Sequence, residues 1–179
     1  MARRRRLAAG ILLALAAAAL PAPATAQVSE TEVKAAFLPR FARYVTWPTY
    51  QRPVPGQPFV LCVVGADPFG SIIDKAAAGQ SVDGHRVAVR RISGGEANGC
   101  HIAFVQGSKA QPTGQLLAAL EARPVLTVTD ARGGSQRGII HFSVVSGRVR
   151  FFIDEKEAAR RSLSINSRLL ALAVGVRPR

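Results

Sequence analysis

The stretch F-V-L-C-V-V-G-A-D-P-F-G-S, residues 59–71, decides the fold of this chain. Its first six residues, Phe59–Val64, are all apolar, so neither face of a strand formed here would be polar. Such a run is typical of a strand buried on both sides, in a sheet that helices cover. Gly65 ends the strand. Asp67 and Pro68 then favour the start of a helix, because a carboxylate caps free N–H groups and proline has the φ of a first helical residue.

Helical and strand patterns alternate along the rest of the chain. Ser29 and Glu32 form a capping box that opens the first helix, which is predicted to end near Trp47. Hairpin turns are predicted at Asp83-Gly84 and Ser146-Gly147. Further helices are predicted at residues 68–78, 109–121, 155–162 and 167–174, and strands at 59–64, 86–92, 101–105, 124–129, 139–145 and 148–153. This alternation predicts an α/β fold: a three-layer sandwich with a mostly parallel central sheet, an antiparallel edge hairpin and helices on both faces.

The first 26 residues have the pattern of a secretory signal peptide. The basic group Arg3–Arg6 precedes Leu7–Leu20, an uncharged apolar run of 14 residues, and Ala24–Ala26 has the small-x-small pattern of a cleavage site. The alternative, a membrane anchor, is disfavoured because a spanning helix needs about 20 apolar residues. No cysteine follows the cleavage site, which argues against a lipoprotein. We therefore predict that residues 1–26 are removed on export and that residues 27–179 fold as a single domain.

The chain is basic, with 24 Lys and Arg against 11 Asp and Glu, and its formal net charge of +13 includes four arginines of the predicted signal peptide. The other basic residues are scattered over the predicted helices and strands. A nucleic-acid-binding protein would instead carry a basic stripe, or a basic face with aromatic residues. The composition thus predicts a basic, soluble surface and no nucleic-acid partner, with weak attraction to anionic envelope polymers as the alternative.

The chain has two cysteines, Cys62 and Cys100. Cys62 lies in the middle of the predicted central strand, and Cys100 stands just before the apolar run at residues 101–105. In an oxidising compartment two thiols pair more often than they stay free, so export predicts a disulfide between them. The sequence leaves open whether this bond is a plain structural staple or responds to redox conditions.

Motifs of catalysis and metal binding are missing from the sequence. Gly65–Gly70 has the spacing of a phosphate-binding loop, but Ser71-Ile72 stands where such a loop has Lys-Ser or Lys-Thr. The three histidines, His85, His101 and His141, have no spacing typical of a metal site. We therefore predict no catalytic residue, no cofactor and no metal ion. The alternative, an uncharted hydrolase, would need a nucleophile and a base in one deep pocket.

Seven runs of the sequence carry a resemblance that covers nearly all of the chain after the predicted signal peptide. They are Val33–Pro48, Phe59–Gly70, Gly99–Val105, Arg123–Asp130, Gly138–Phe142, Gly147–Asp154 and Ala158–Ala173. In this order they resemble the YfiR family of periplasmic regulators. The resemblance implies a periplasmic, non-enzymatic repressor that binds the periplasmic sensor domain of an inner-membrane diguanylate cyclase and that an outer-membrane lipoprotein sequesters.

Cys62 and Cys100 match the common disulfide of the family by position, and the resemblance implies a redox-responsive system. The type member has a second cysteine pair near the terminal hairpin, and this sequence has none there. Redox control by a second bridge is therefore not expected.

The last predicted helix carries Leu169, Leu170, Leu172 and Val174 with few charges. These side chains are expected either to pack in the core or to form a docking face for a partner protein. A homodimer is also left open.

A small ligand, if one binds, is expected outside the carboxyl ends of the strands, near Asp67, Phe69 and Asp130. A ligand there would fit the alternative function, which is a periplasmic small-molecule-binding sensory module that acts with a sensor kinase or an uptake receptor.

Overall fold

The structure, a computed structural model, describes residues 28–94 and 97–179 of the chain. The predicted signal peptide lies outside the described residues. Within them the chain forms five α-helices and ten β-strands. The helices are α1 (Glu30–Phe41), α2 (Ser71–Ala77), α3 (Thr113–Ala118), α4 (Glu155–Arg160) and α5 (Ser167–Leu170). The strands are β1 (Val45–Thr46), β2 (Phe59–Gly65), β3 (Ser81–Val82), β4 (His85–Ile92), β5 (Ile102–Gln106), β6 (Leu126–Asp130), β7 (Ile140–Val145), β8 (Arg148–Asp154), β9 (Ser164–Ile165) and β10 (Gly175–Arg177). None of the helices in these ranges is long and apolar enough to cross a membrane.

Eight of the described strands form one mixed sheet in the order β10-β8-β7-β6-β5-β2-β4-β3. Five neighbouring pairs are parallel, and the hairpins β7–β8 and β3–β4 are antiparallel. The two-residue strands β1 and β9 pair separately and antiparallel. The α/β class is thus confirmed, whereas the regular three-layer arrangement stays a prediction.

The central strand β2 is buried on both faces, as its sequence predicts. Leu61 and Val63 belong to a large apolar cluster that includes residues of α1 and α2, while Cys62 and Val64 belong to a smaller cluster on the opposite face. All four side chains are at most 1% exposed. The smaller cluster includes Leu116 of α3 and contains no described residue of β7 or β8. On this second face, the helix that covers the sheet therefore packs mainly on β2 and β5.

Helix α1 begins with the predicted capping box and ends in an aromatic cluster. Ser29 Oγ accepts a hydrogen bond from the Glu32 N–H at 3.2 Å, and Glu32 Oε2 accepts one from the Ser29 N–H at 2.7 Å. At the other end, the buried ring of Phe41 meets the ring of Phe151 edge-on at 5.1 Å and lies 5.6 Å from the ring of Phe142. These contacts fix α1 over the hairpin β7–β8.

The hairpin β7–β8, which was expected at an edge of the sheet, lies one strand in from it, while the antiparallel hairpin β3–β4 forms the opposite edge. Strand β10 lies beyond β8 and pairs with it in parallel. Strand β10 was not predicted, since its three residues are too few to show an alternation of apolar and polar positions. The predicted helix at 167–174 is confirmed only at its start, where the Asn166 side chain accepts a hydrogen bond from the Arg168 N–H, and it ends at Leu170.

Other helices are also shorter than predicted. Helix α1 ends at Phe41, not near Trp47, because the chain passes through one 3-10 turn and enters β1. Helix α2 begins at Ser71, not at residue 68, because the Asp67 carboxylate stabilises a turn of its own before the helix. The helix predicted at 109–121 is reduced to the six residues of α3.

Candidate functional site

Asp67 and Phe69, two residues of the predicted ligand pocket, are engaged by the protein itself. Asp67 Oδ1 accepts hydrogen bonds from the N–H groups of Phe69 at 2.8 Å and Gly70 at 3.1 Å, and its Oδ2 accepts one from Arg91 Nε at 2.7 Å. The hydrogen bond to Asp74, which is the larger cause, and the hydrogen bond to Asp67 both raise the pKa of Arg91. Phe69 is only 3% exposed and belongs to the core. Both residues therefore shape the connection between β2 and α2.

Asp130, the third residue of that predicted pocket, belongs to a buried ion cluster at the carboxyl end of β6. The Lys34 ammonium donates hydrogen bonds to Asp130 and to Glu30, and Lys34 and Asp130 are only 3% and 8% exposed. Arg132 donates its guanidinium N–H to Glu30 and its backbone N–H to Asp130 Oδ1. The cluster ties the first turn of α1 to the end of β6. Neither cavity described below contains Asp67, Phe69 or Asp130 in its lining.

The predicted disulfide is present between Cys62 and Cys100, with the two Cα atoms 5.9 Å apart. It joins the middle of β2 to the residues just before β5, and both cysteines are fully buried. Arg90 of β4 lies beside it, with Nη2 at 3.3 Å from Cys100 Sγ and 3.7 Å from Cys62 Sγ, and also donates to the Asn98 carbonyl. A guanidinium in this position stabilises the thiolate that reduction would release.

The structure divides the predicted docking face into a buried and an exposed part. Leu169 is 2% exposed and belongs to the core, and Leu170 is half-buried against it. Leu172 and Val174 are 62% and 46% exposed, and Val176 of β10 is 38% exposed. We call these last three residues the C-terminal strip. They are every second residue of the segment that leads into and includes the edge strand β10. Val176 pairs with β8 as part of β10, and the Val174 N–H donates to the Phe151 carbonyl, so this end of the strip is attached to the sheet.

A cavity at the amino ends of β2, β4 and β5 was not predicted from the sequence. This amino-end cavity has a volume of about 380 Å³. Its lining includes Arg43, Trp47, Arg52, Phe59, His85 and His101. These residues come from three separate parts of the chain. The pairing of β2 with β4 and β5 and the hydrogen bond from Trp47 Nε1 to the His101 carbonyl bring them together. Three prolines and a glycine within residues 49–58, which indicate an extended loop, are the one local signal near it.

His101 and His141 are buried and have structural hydrogen bonds. His101 Nδ1 accepts the Val60 N–H at 3.0 Å, and burial lowers the pKa of His101. His141 Nδ1 lies 2.8 Å from Thr129 Oγ1, and burial lowers the pKa of His141 too. Thr129 is 1% exposed and accepts the Gly138 N–H, so this pair joins β6 to β7 and its hydroxyl lies out of reach of a substrate. Over residues 28–94 and 97–179, no group of three His, Cys, Asp or Glu side chains could hold a metal ion.

A second groove, of about 550 Å³, lies beside β8 and β10. The guanidinium carbon of Arg137 stands 5.3 Å from the ring centroid of Phe152, and Arg177 Nη1 donates to Asp154 Oδ2 at 3.2 Å. In this groove Arg177 is therefore paired with a carboxylate, and the Arg137 guanidinium lies over an aromatic ring.

Comparison with known proteins gives a family for this chain. None of the curated proteins compared with it matches. A family model described as YfiR/HmsC-like matches residues 31–174. The matched part includes both cysteines of the disulfide, helices α2 to α5 and strands β1 to β9, which is most of the described fold. The chain therefore belongs to the YfiR/HmsC-like family.

Proposed function

We propose that this protein is a periplasmic regulator that binds the periplasmic sensor domain of an inner-membrane diguanylate cyclase and represses it. The observation that carries the proposal is the family match over residues 31–174. The resemblance of the sequence to periplasmic, non-enzymatic repressors supports it. So does the buried disulfide, because such bonds form and persist in oxidising compartments outside the cytoplasm. The protein would act by binding, and an outer-membrane lipoprotein would relieve the repression by sequestering it.

The docking surface that we propose is the C-terminal strip. Leu172, Val174 and Val176 are three of the eight exposed large apolar side chains of the described chain. Contiguous exposed apolar surface on a soluble protein marks an interaction site. The strip also adjoins the outer edge of β10, the last strand in the sheet order. Leu169 and Leu170 would support the strip from below without touching the partner.

The test of the docking surface compares charged substitutions inside and outside the strip. In a strain without the gene, the wild-type protein should restore a low cyclic-di-GMP level. L172E/V174E should fail to do so, because two carboxylates cannot be desolvated against an apolar partner surface. V54E is the matched control: Val54 is 56% exposed in the loop between β1 and β2, and this variant should repress normally. Equal melting temperatures of the three purified proteins exclude unfolding as the cause, and full repression by L172E/V174E would refute the assignment.

The partner is tested by cross-linking in intact cells. Capture of the tagged protein from envelope extracts should recover an inner-membrane diguanylate cyclase, and L172E/V174E should lose it. Recovery of a sensor kinase or an uptake receptor, with cyclic-di-GMP unchanged by deletion, would replace the cyclase by the alternative output. Recovery of no membrane signalling protein would count against regulation by binding.

Export is tested on the same material. Mass spectrometry of the secreted protein should find an amino terminus at Gln27 and no free thiol at Cys62 or Cys100. A protein that keeps residues 1–26 would contradict the predicted cleavage.

A further inference from the structure

We propose that the amino-end cavity binds a small organic anion with a flat apolar body, such as an aryl carboxylate or aryl phosphate. Its volume of about 380 Å³ lies within the range of roughly 300–1,000 Å³ that small-molecule sites occupy. This inference goes beyond the proposed repression and does not depend on it. The cavity lies at the amino ends of the strands, whereas the sequence pointed to their carboxyl ends.

Two arginines give the cavity its positive charge. Arg43 and Arg52 both line it, and neither pairs with a carboxylate in the part of the chain that the structure describes. Each is held by a neutral acceptor: Arg43 Nη2 donates to Gln80 Oε1 at 2.9 Å, and Arg52 Nε donates to the Trp47 carbonyl at 3.0 Å. A guanidinium has five N–H donors, so each arginine keeps donors for the paired oxygens of a carboxylate or phosphate.

The remaining polar lining leaves this charge in excess. Asp83, in the exposed turn between β3 and β4, is the one acidic residue among the described lining residues. His85 donates its Nδ1–H to the Gln57 carbonyl at 2.8 Å, because a carbonyl oxygen can only accept. Two arginines against one aspartate make the lining positive, so an anion is favoured over a cation or a neutral ligand.

The inner wall of the cavity is aromatic and rigid. The ring of Phe59 meets Trp47 edge-on at 5.1 Å and stacks on His101 at 4.5 Å. All three side chains are at most 6% exposed, and Trp47 Nε1 and His101 Nδ1 both have backbone partners. A fixed apolar wall beside two cations recognises a flat organic anion better than a hydrated inorganic ion.

The experiment uses the emission of Trp47, which is the single tryptophan of the chain and lines the cavity. The probes are phenyl phosphate and benzoate, with inorganic phosphate and benzyl alcohol as the charge-only and ring-only comparisons. Phenyl phosphate or benzoate should change the emission saturably, and the two comparisons should bind at least about tenfold more weakly. The better of the two aryl anions identifies phosphate or carboxylate as the preferred group, and calorimetry with the same probe confirms binding independently of fluorescence.

Three arginine substitutions test the assignment. R43A and R52A should each weaken binding of the better probe about tenfold, the typical effect of losing a charge-assisted hydrogen bond. R86A is the matched control, because Arg86 is an exposed arginine of β4 that lies next to His85 in sequence and outside the lining. Its affinity should stay within about twofold of the wild type. Since all three arginines are exposed, their substitution should leave the melting temperature unchanged.

Two results would overturn the proposal. One is the absence of saturable binding of either aryl anion. The other is an equal effect of R43A, R52A and R86A, which would show only diffuse attraction to a basic protein. No partner protein takes part in this assay, so its outcome is separate from that of the docking experiment.

Discussion

Reduction of the Cys62–Cys100 disulfide should lower the free energy of unfolding by about 4 kcal/mol. The two cysteines are 38 residues apart in the sequence. In the chain-entropy treatment, closing a loop of this length removes about 13 cal/mol/K from the unfolded ensemble, which is about 4 kcal/mol at 25 °C. A domain of this size has a net stability of roughly 5–15 kcal/mol, so the bond supplies a substantial share of it. The melting temperature should fall by roughly 8–16 °C, at about 2–4 °C per kcal/mol for a domain of this size.

The assay is urea unfolding of the oxidised protein and of the same protein in a thiol-free reductant, followed by Trp47 emission and circular dichroism. Reduced wild-type protein keeps both sulfur atoms in the core, so the comparison isolates the covalent link. C62A/C100A should lose more, because it also leaves two small cavities at fully buried positions. The m-value should rise on reduction, since an unlinked denatured chain exposes more surface.

A loss below about 1 kcal/mol on reduction would refute this reasoning, because it would mean that the unfolded chain is not restricted by the link. A loss of about 4 kcal/mol in the free energy of unfolding, together with full repression by the reduced protein, would identify the bond as purely structural. If repression in cells is instead lost on reduction while the protein stays folded, the bond acts as a switch.

Three further changes follow from the described contacts. G65A should cost roughly 3 kcal/mol or more in urea unfolding, because Gly65 has φ +85° and a Cβ would lie 2.2 Å from a backbone oxygen. G56A is the control, because Gly56 has the same φ and no atom lies within 4 Å of an added Cβ. It should cost only about 1–2 kcal/mol, and equal losses of stability in G56A and G65A would show that the clash at Gly65 has no effect. K34M should cost about 3–5 kcal/mol because it leaves the Asp130 carboxylate buried without its cation, and K34M/D130N should recover part of this. Stability should fall as the pH drops below about 6.5, since burial lowers the pKa of His141 and the unfolded chain binds protons first. The urea midpoint at pH 7 and pH 5.5 should therefore change less in H141Q than in the wild type.

Local rules were enough for the parts of the fold that depend on neighbouring residues. The capping box of Ser29 and Glu32 needs only its own first turn to form. The turn residues Asp83-Gly84 and Ser146-Gly147 all adopt positive φ, as two-residue hairpin turns require. The six apolar residues of β2 could be read as a strand buried on both faces because no polar residue offers either face to water. In each case the information lies within a few residues of the element.

The parts that the sequence did not reveal depend on contacts between distant residues. The apolar run at residues 169–174 is compatible with one continuous helix. The helix nevertheless ends at Leu170, because the residues that follow lead into β10, which pairs with the distant strand β8. The ion cluster joins Lys34 to Asp130, which are 96 positions apart. Asp67 was predicted from its neighbours to cap the start of a helix, but its hydrogen bond from Arg91, 24 positions away, could not be predicted from local sequence.

The disulfide and the amino-end cavity share one peptide unit of the chain. Cys100 holds one end of the bond, and its carbonyl accepts a hydrogen bond from Gln51 Nε2 at 3.2 Å. The next residue, His101, forms part of the cavity wall, and its carbonyl accepts the Trp47 Nε1–H at 3.1 Å. A change in the bond and a bound anion therefore act on the same residues. By thermodynamic linkage, any difference in anion affinity between the oxidised and reduced protein must appear as an equal difference in the free energy of reduction with and without the anion. A structural bond and a sensor are for this reason not exclusive interpretations of Cys62–Cys100, because a ligand that binds the oxidised and reduced forms with different affinity would change how readily the bond is reduced.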